Sequence, residues 1–222
     1  MDLSPILISL KTASAATVVT FFLGVLAARW VFSLRVKSLK MALDALFTLP
    51  LVLPPTVAGF FLLYLFGIRG PIGAFLMEFL GVRLVFSWPA TVLAAAVISF
   101  PLMYRSARGA FELVDVNLFY AARTLGLREG TIFWRILLPT AAPGVISGAI
   151  LAFARGLGEF GATIMIAGNI AGETRTLPVA VYSSVMAGDW TTAGFYVAVI
   201  VGIALLVICG MQYFSSRGGK RV

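Results

Sequence analysis

Five stretches of this 222-residue chain run for seventeen residues or more without a charged side chain. They are Thr12 to Ala28, Ala45 to Ile68, Leu84 to Tyr104, Ile136 to Ala154 and Trp190 to Ser216. A bilayer core about 30 Å thick is crossed by roughly 20 apolar residues in a helix. In lipid the backbone has to satisfy its own hydrogen bonds, so each stretch is expected to be helical. The expectation is an all-α integral membrane protein with five spans. The fourth span is expected to continue past Arg155 and Glu159 to about Ala167, because Phe160 to Ile170 is again uncharged. Composition agrees: 60% of the residues are hydrophobic and 12% are charged, against about 25% charged in a soluble domain.

The net charge of +8 does not call for nucleic acid, because the basic residues are placed by topology. Arg29, Arg35, Lys37 and Lys40 lie between spans one and two, Arg105, Arg108, Arg123, Arg128 and Arg135 between or beside spans three and four, and Arg217, Lys220 and Arg221 in the tail. The positive-inside rule makes these three places cytoplasmic. The N-terminus is then expected outside and the C-terminus inside, in a multi-pass protein of the cell membrane. The first run follows the acidic Asp2 and lacks a basic leader, so it reads as a retained span rather than a signal peptide.

Several chemistries are excluded by what the chain lacks. It has no histidine, which removes Ser–His and Cys–His hydrolases, histidine-ligated metal sites and HExxH proteases. Its single cysteine, Cys209, allows no internal disulfide. No GxxxxGK[ST] phosphate loop is present, so energy for any transport has to come from another chain or from a gradient. No cofactor and no metal are expected, and no catalytic residue.

One membrane domain, residues 1–222, accounts for the chain. The outer connection after span two holds Gly67, Gly70, Pro71 and Gly73, then an apolar stretch, Ala74 to Leu80, too short to span. A second outer connection, near Asn169 to Asp189, contains the apolar Leu177 to Met186, which is expected to fold partly back. The inner connection, a loop at about 109–139, is polar yet not linker-like. Leu118 to Leu125 reads as a short helix, and Gly126 supplies the left-handed residue that ends helices. A second short helix is expected from Arg128 to Leu137, broken by Pro139. Two short helices at an angle make a rigid protrusion suited to a soluble partner.

The stretch Tyr120 to Gly144, YAARTLGLREGTIFWRILLPTAAPG, resembles the cytoplasmic loop signature shared by permease subunits of ABC importers. Ala121, Ala122, Gly126, Ile136, Leu138 and Pro139 match it, while Tyr120 stands where the family carries Glu. LPLVLPPTVAGFFLL (Leu49 to Leu63), LAFARGLGEFGATIMIAGNI (Leu151 to Ile170) and GETRTLPVAVY (Gly172 to Tyr182) resemble molybdate permeases; sulfate permeases are similar but less close in the last two. The resemblance implies a type I importer fold, a homodimeric permease in membrane lipid, two copies of a cytoplasmic ATP-binding subunit and an extracytoplasmic oxyanion-binding protein. It implies that Ala121, Ala122, Thr124, Leu125, Gly126, Leu127, Leu138 and Pro139 couple to the ATP-binding subunit. The implied cargo is molybdate or tungstate.

Candidates for the translocation pathway are Pro54, Pro55, Thr56, Arg155, Glu159 and Thr163. Adjacent prolines remove two backbone donors, which makes either a plain kink or a pathway-lining break. Arg155 and Glu159, four apart, read either as an anion-attracting Arg with its counter-ion or as a self-neutralising clamp between helices. Gly144 and Gly148 form a GxxxG pair that allows close helix approach, and Gly156, Gly158 and Gly161 continue a glycine-rich face. Two rival classes remain at this level. One is a gradient-driven transporter or channel for a small anion such as sulfate, in which the loop would be incidental. The other is a membrane-embedded enzyme, weak without histidine and with few acids in the spans.

Overall fold

A computed structural model describes residues 2–218 of the chain, with side chains as far as residue 211. Among the described residues there is no strand. The helices are α1 (Ser4–Ser33), α2 (Lys37–Val52), α3 (Pro55–Phe66), α4 (Pro71–Leu80), α5 (Trp88–Glu112), α6 (Val116–Thr124), α7 (Glu129–Ile132), α8 (Leu138–Leu157), α9 (Gly161–Ile166), α10 (Leu177–Met186) and α11 (Trp190–Gly218). A π-helical turn, Phe133–Leu137, joins α7 to α8. Lys220 and Arg221 of the basic tail lie outside the described residues.

α1, α5 and α8 pack against one another as a central bundle. Small residues make that approach possible, as expected where lipid tails offer no hydrophobic drive between helices. Ala13, Ala28, Ala94, Ala95 and Ala107 are fully buried. A Cβ on Gly148 would stand 2.5 Å from Ser106 Cβ, and one on Gly144 2.6 Å from Ala110 Cβ, so the GxxxG pair of α8 faces α5. Two buried hydroxyls are satisfied in place: Thr12 and Thr91 share a 2.9 Å hydrogen bond between α1 and α5, and Trp88 Nε1 donates to Thr12 at 3.0 Å. The outward faces carry large apolar side chains such as Phe22, Leu26, Val201 and Leu206, as a surface in lipid requires.

The span count needs refinement. α1, α5, α11 and the run Glu129–Leu157 are each long and apolar enough to cross a membrane. The second expected span is two helices, α2 and α3, bent by 109°. Leu53 and Pro54 each precede a proline, and steric clash with the following ring pushes both into extended backbone, ψ 139° and 135°. The count is therefore four spans, or five if the bent pair crosses as one.

Two further expectations fail for local reasons. The fourth span does not run to Ala167: α8 stops at Leu157, and α9 starts afresh at Gly161, leaving Glu159 in the gap. Nor does Pro139 break the helix before it. The amide of Leu138 reaches back to the carbonyl of Phe133, one residue beyond the α-helical partner, and this wider turn accommodates the proline ring in the first turn of α8. The two short apolar stretches of the connections form the helices α4 and α10. α10 is tucked in, with Leu177, Val179 and Ala180 buried and the Leu177 amide donating to Ser9 Oγ at 2.6 Å.

Candidate functional site

Two places collect the residues singled out from the sequence. The first is a joint at which two helix breaks meet. α3 packs along α9, and the contact is closest where both present glycine. A Cβ on Gly161 would stand 3.0 Å from Pro55 Cβ and 3.1 Å from the amide nitrogen of Thr56. One on Gly59 would stand 2.7 Å from Ala162 Cα. The Pro54–Pro55–Thr56 break is thereby seated against the Gly158–Gly161 break. Pro54 and Thr56 are exposed, Pro55 is half-buried and Thr163 is buried. Gly161 appears in the sequence only as one of a glycine run, and nothing there signals that it faces Pro55 or that Gly59 faces Ala162.

Arg155 and Glu159 hold the joint on the α8 side. The Glu159 side chain is 1% exposed and that of Arg155 is 31% exposed. Arg155 Nη1 lies 2.9 Å from Glu159 Oε2, an ion-pair contact without hydrogen-bond alignment. The other carboxylate oxygen, Oε1, accepts the amide of Ala162 at 2.7 Å. That amide belongs to the first turn of α9, where backbone donors have no helical partner and the helix dipole favours a negative charge. Glu159 therefore ties the end of α8 to the start of α9 and neutralises Arg155 from its buried side. A guanidinium has five donors in a fixed fork, so those on its exposed side stay available.

The second place is the ridge between α5 and α8. The Asp115 side chain accepts the Asn117 amide at 2.9 Å and starts α6. Gly126, at φ +74°, ends it: its amide donates to Arg123 O at 2.9 Å, and the Leu127 amide donates to Ala122 O at 3.1 Å. This is the paired hydrogen-bond pattern of a Schellman C-cap. Arg123 Nε donates to Glu129 Oε1 at 2.8 Å across the turn, and that hydrogen bond raises the guanidinium pKa above its ordinary value.

The ridge divides its candidate residues between two faces. Ala121, Thr124, Leu125, Gly126 and Leu127 are exposed, with Leu125 at 78% and the departing residue Tyr120 at 58%. Ala122 is buried at 3%, in one cluster with Phe119, Ile132 and Phe133. Leu138 is half-buried on the same cluster, and Pro139 is exposed.

The model of the family described as "Binding-protein-dependent transport system inner membrane component" matches residues 20–217. The chain belongs to this family. The match takes in both the joint and the ridge. Family relatives include the molybdenum transport system permease protein ModB of Escherichia coli, 46% identical over 203 residues, covering 91% of this chain and 88% of that one. The putative molybdenum transport system permease protein YvgM of Bacillus subtilis is 42% identical over 209 residues, covering 94% and 92%. Among solved structures, the inward-facing MetNI methionine ABC transporter superposes with a TM-score of 0.75 at 16% identity, covering 96% of this chain and 94% of that one. A bacterial transporter importing the acidic polysaccharide alginate gives 0.79 at 15%, covering 97% and 79%. At such identities the likeness concerns the fold, which is that of type I ABC importer membrane subunits. The family description makes the chain an inner-membrane component of a binding-protein-dependent transport system.

Proposed function

We propose that the chain is the permease subunit of an ATP-driven importer carrying molybdate, or the nearly isosteric tungstate, into the cell. The observation that carries this reading is the identity of 46% and 42%, across more than nine-tenths of the chain, to permeases named for molybdenum transport. It extends to the partners that family membership implies: an oxyanion-binding protein outside and two copies of an ATP-binding subunit inside, with the C-terminus cytoplasmic. A second copy of this permease is the remaining partner. The rival, gradient-driven reading has no counterpart among these relatives.

Mechanically, the exposed face of the ridge (Ala121, Thr124, Leu125, Gly126 and Leu127) receives the motion of the ATP-binding subunit. The buried face (Ala122 with Leu138) hands it to the bundle, and Pro139 lies in the first turn of α8, whose last turn carries Arg155. In the joint, Arg155 offers the exposed side of its guanidinium to the passing oxyanion while Glu159 neutralises it from behind. A lone charge in a span costs about 2.5–3.5 kcal/mol or more, which the pairing offsets while no anion is present. Pro54, Pro55, Thr56 and Thr163 complete the pathway segment. The test is uptake of labelled molybdate into liposomes holding the permease, its ATP-binding subunit and the binding protein. ATP is expected to drive uptake, and Arg155→Ala to abolish it with the subunits still associated. Uptake driven by an ion gradient without ATP would overturn the reading.

A further inference from the structure

A polar cluster away from both places joins the first half of the bent span to the end of α5. Asp44 on α2 accepts the Tyr104 hydroxyl and pairs with Arg108, both on α5. Arg108 Nη1 also donates to Tyr104 Oη at 3.3 Å, and its Nε donates to Glu112 at 3.1 Å. Lys40, one turn before Asp44, lies 3.7 Å from the same Glu112 oxygen. The cluster borders a polar cleft of about 370 Å³. Asp44 is the only acid between Asp2 and Glu78, which marks it as an oddity beside an apolar run.

What makes the cluster matter is how little else holds α2. None of its residues is buried. Its principal neighbour is α5; besides the polar cluster it is held by Leu43, packed on the core cluster of α1, α5 and α8, and by Phe47, whose ring meets those of Phe100 and Tyr104 at 5.6 and 5.2 Å and that of Trp30 at 6.4 Å. At its far end the extended pair Leu53 and Pro54 interrupts the helical hydrogen-bond ladder, so α2 is not rigidly continued by α3. At the other end of the connection, α5 stops at Glu112 and the ridge begins at Val116. Arg108 and Glu112 thus sit on the last turns of the helix that carries the ridge.

We propose that Asp44, Tyr104 and Arg108 form a clasp that makes α2 move with α5 and the ridge. Asp44 and Arg108 are then positioning residues for transport, acting through α2 rather than on the anion. A push on the ridge travels up α5 and reaches α2 through the clasp. Without it, α5 moves and α2 stays behind. The inference rests on the permease reading above, and its test separates the two.

In the reconstituted complex, Asp44→Asn and Arg108→Gln are each expected to lower molybdate uptake per ATP hydrolysed on the order of tenfold, a size ordinary for coupling between sites. The double variant should be no worse than either single one, because both remove the same link. Asp44→Glu should restore much of the loss. Independently of cargo, hydrogen exchange of the α2 amides should quicken in Asp44→Asn with the ATP-binding subunit still bound. Unchanged α2 exchange, or losses that multiply in the double variant, would overturn the clasp. If the wild-type complex takes up no molybdate with ATP, the functional reading falls and the α2 exchange still decides the clasp. Should Asp44→Asn fail to assemble, Tyr104→Phe, which removes one hydroxyl and no charge, decides it by the same exchange measurement: faster exchange upholds the clasp and wild-type exchange overturns it.

Discussion

Single glycines set the distance between the two broken helices. At Gly59 the atom in the way of a Cβ is the backbone of Ala162, 2.7 Å off, and backbone yields less readily than the end of a flexible side chain. Gly158, a few residues from the same joint, would meet only the Ala154 carbonyl oxygen at 3.8 Å, an ordinary contact. The same added methyl should therefore have unequal effects. Gly59→Ala is expected to cost about 1–3 kcal/mol, the usual range for overpacking, and to lower the thermal midpoint of the purified permease. Gly158→Ala should unfold with the wild type. Equal midpoints for the two variants would mean that the breaks do not meet as described. The charged pair beside them obeys the same economy of space: Glu159 uses one oxygen for the Ala162 amide and turns the other toward Arg155.

At the scale of elements, the ridge is held in shape by local chemistry and held in place by packing. Its shape comes from the Asp115 cap, the left-handed Gly126 and the Arg123–Glu129 pair. The pair is exposed, and exposed ion pairs contribute about 0–1 kcal/mol, so the glycine is the stronger determinant. A β-branched side chain in the left-handed region costs about 1–2 kcal/mol, enough to reorient a single turn. Gly126→Val is expected to release the ATP-binding subunit during purification while the amount of permease in the membrane is unchanged. Leu125→Ser, at a largely exposed position, should do the same without disturbing the fold. Co-purification and ATP-coupled uptake both at the wild-type level in the two variants would deny the ridge its coupling role. Ala122 belongs to a different experiment, since a larger side chain there would press on Phe119 and Phe133 inside the permease.

For the whole molecule, the proposed orientation rests on the basic residues between the spans. In a chain with Cys209 replaced by alanine, single cysteines at Ser4 and Thr191 are expected to react with a membrane-impermeant maleimide on intact cells. Those at Ser38 and Leu125 should react only after the membrane is opened. The reverse pattern would invert the molecule and move the ridge away from any cytoplasmic subunit. In the proposed orientation the clasp of Asp44 and Arg108 faces the cytoplasm and the α10 segment faces the outside.

Much of this was readable from residue order, because it depends on properties the chain carries locally. Apolar length makes a helix in lipid whatever its neighbours are, so the long helices fall where the uncharged runs do. Adjacent prolines at 54 and 55 mark a break, and Gly126 marks the end of α6, since each acts on its own backbone. The ends of helices were less readable. Pro139 breaks nothing, because a wider turn before it accommodates the ring, and α8 stops short of Glu159 though no charge pattern requires it. Pairings between residues far apart in the chain were not readable at all. Asp44 and Arg108 are 64 positions apart, and nothing local joins them. Ala121 and Ala122 are the same side chain in consecutive positions, yet one faces solvent and the other is packed under an aromatic cluster. Burial is a property of what lies opposite, and only the folded chain decides what lies opposite.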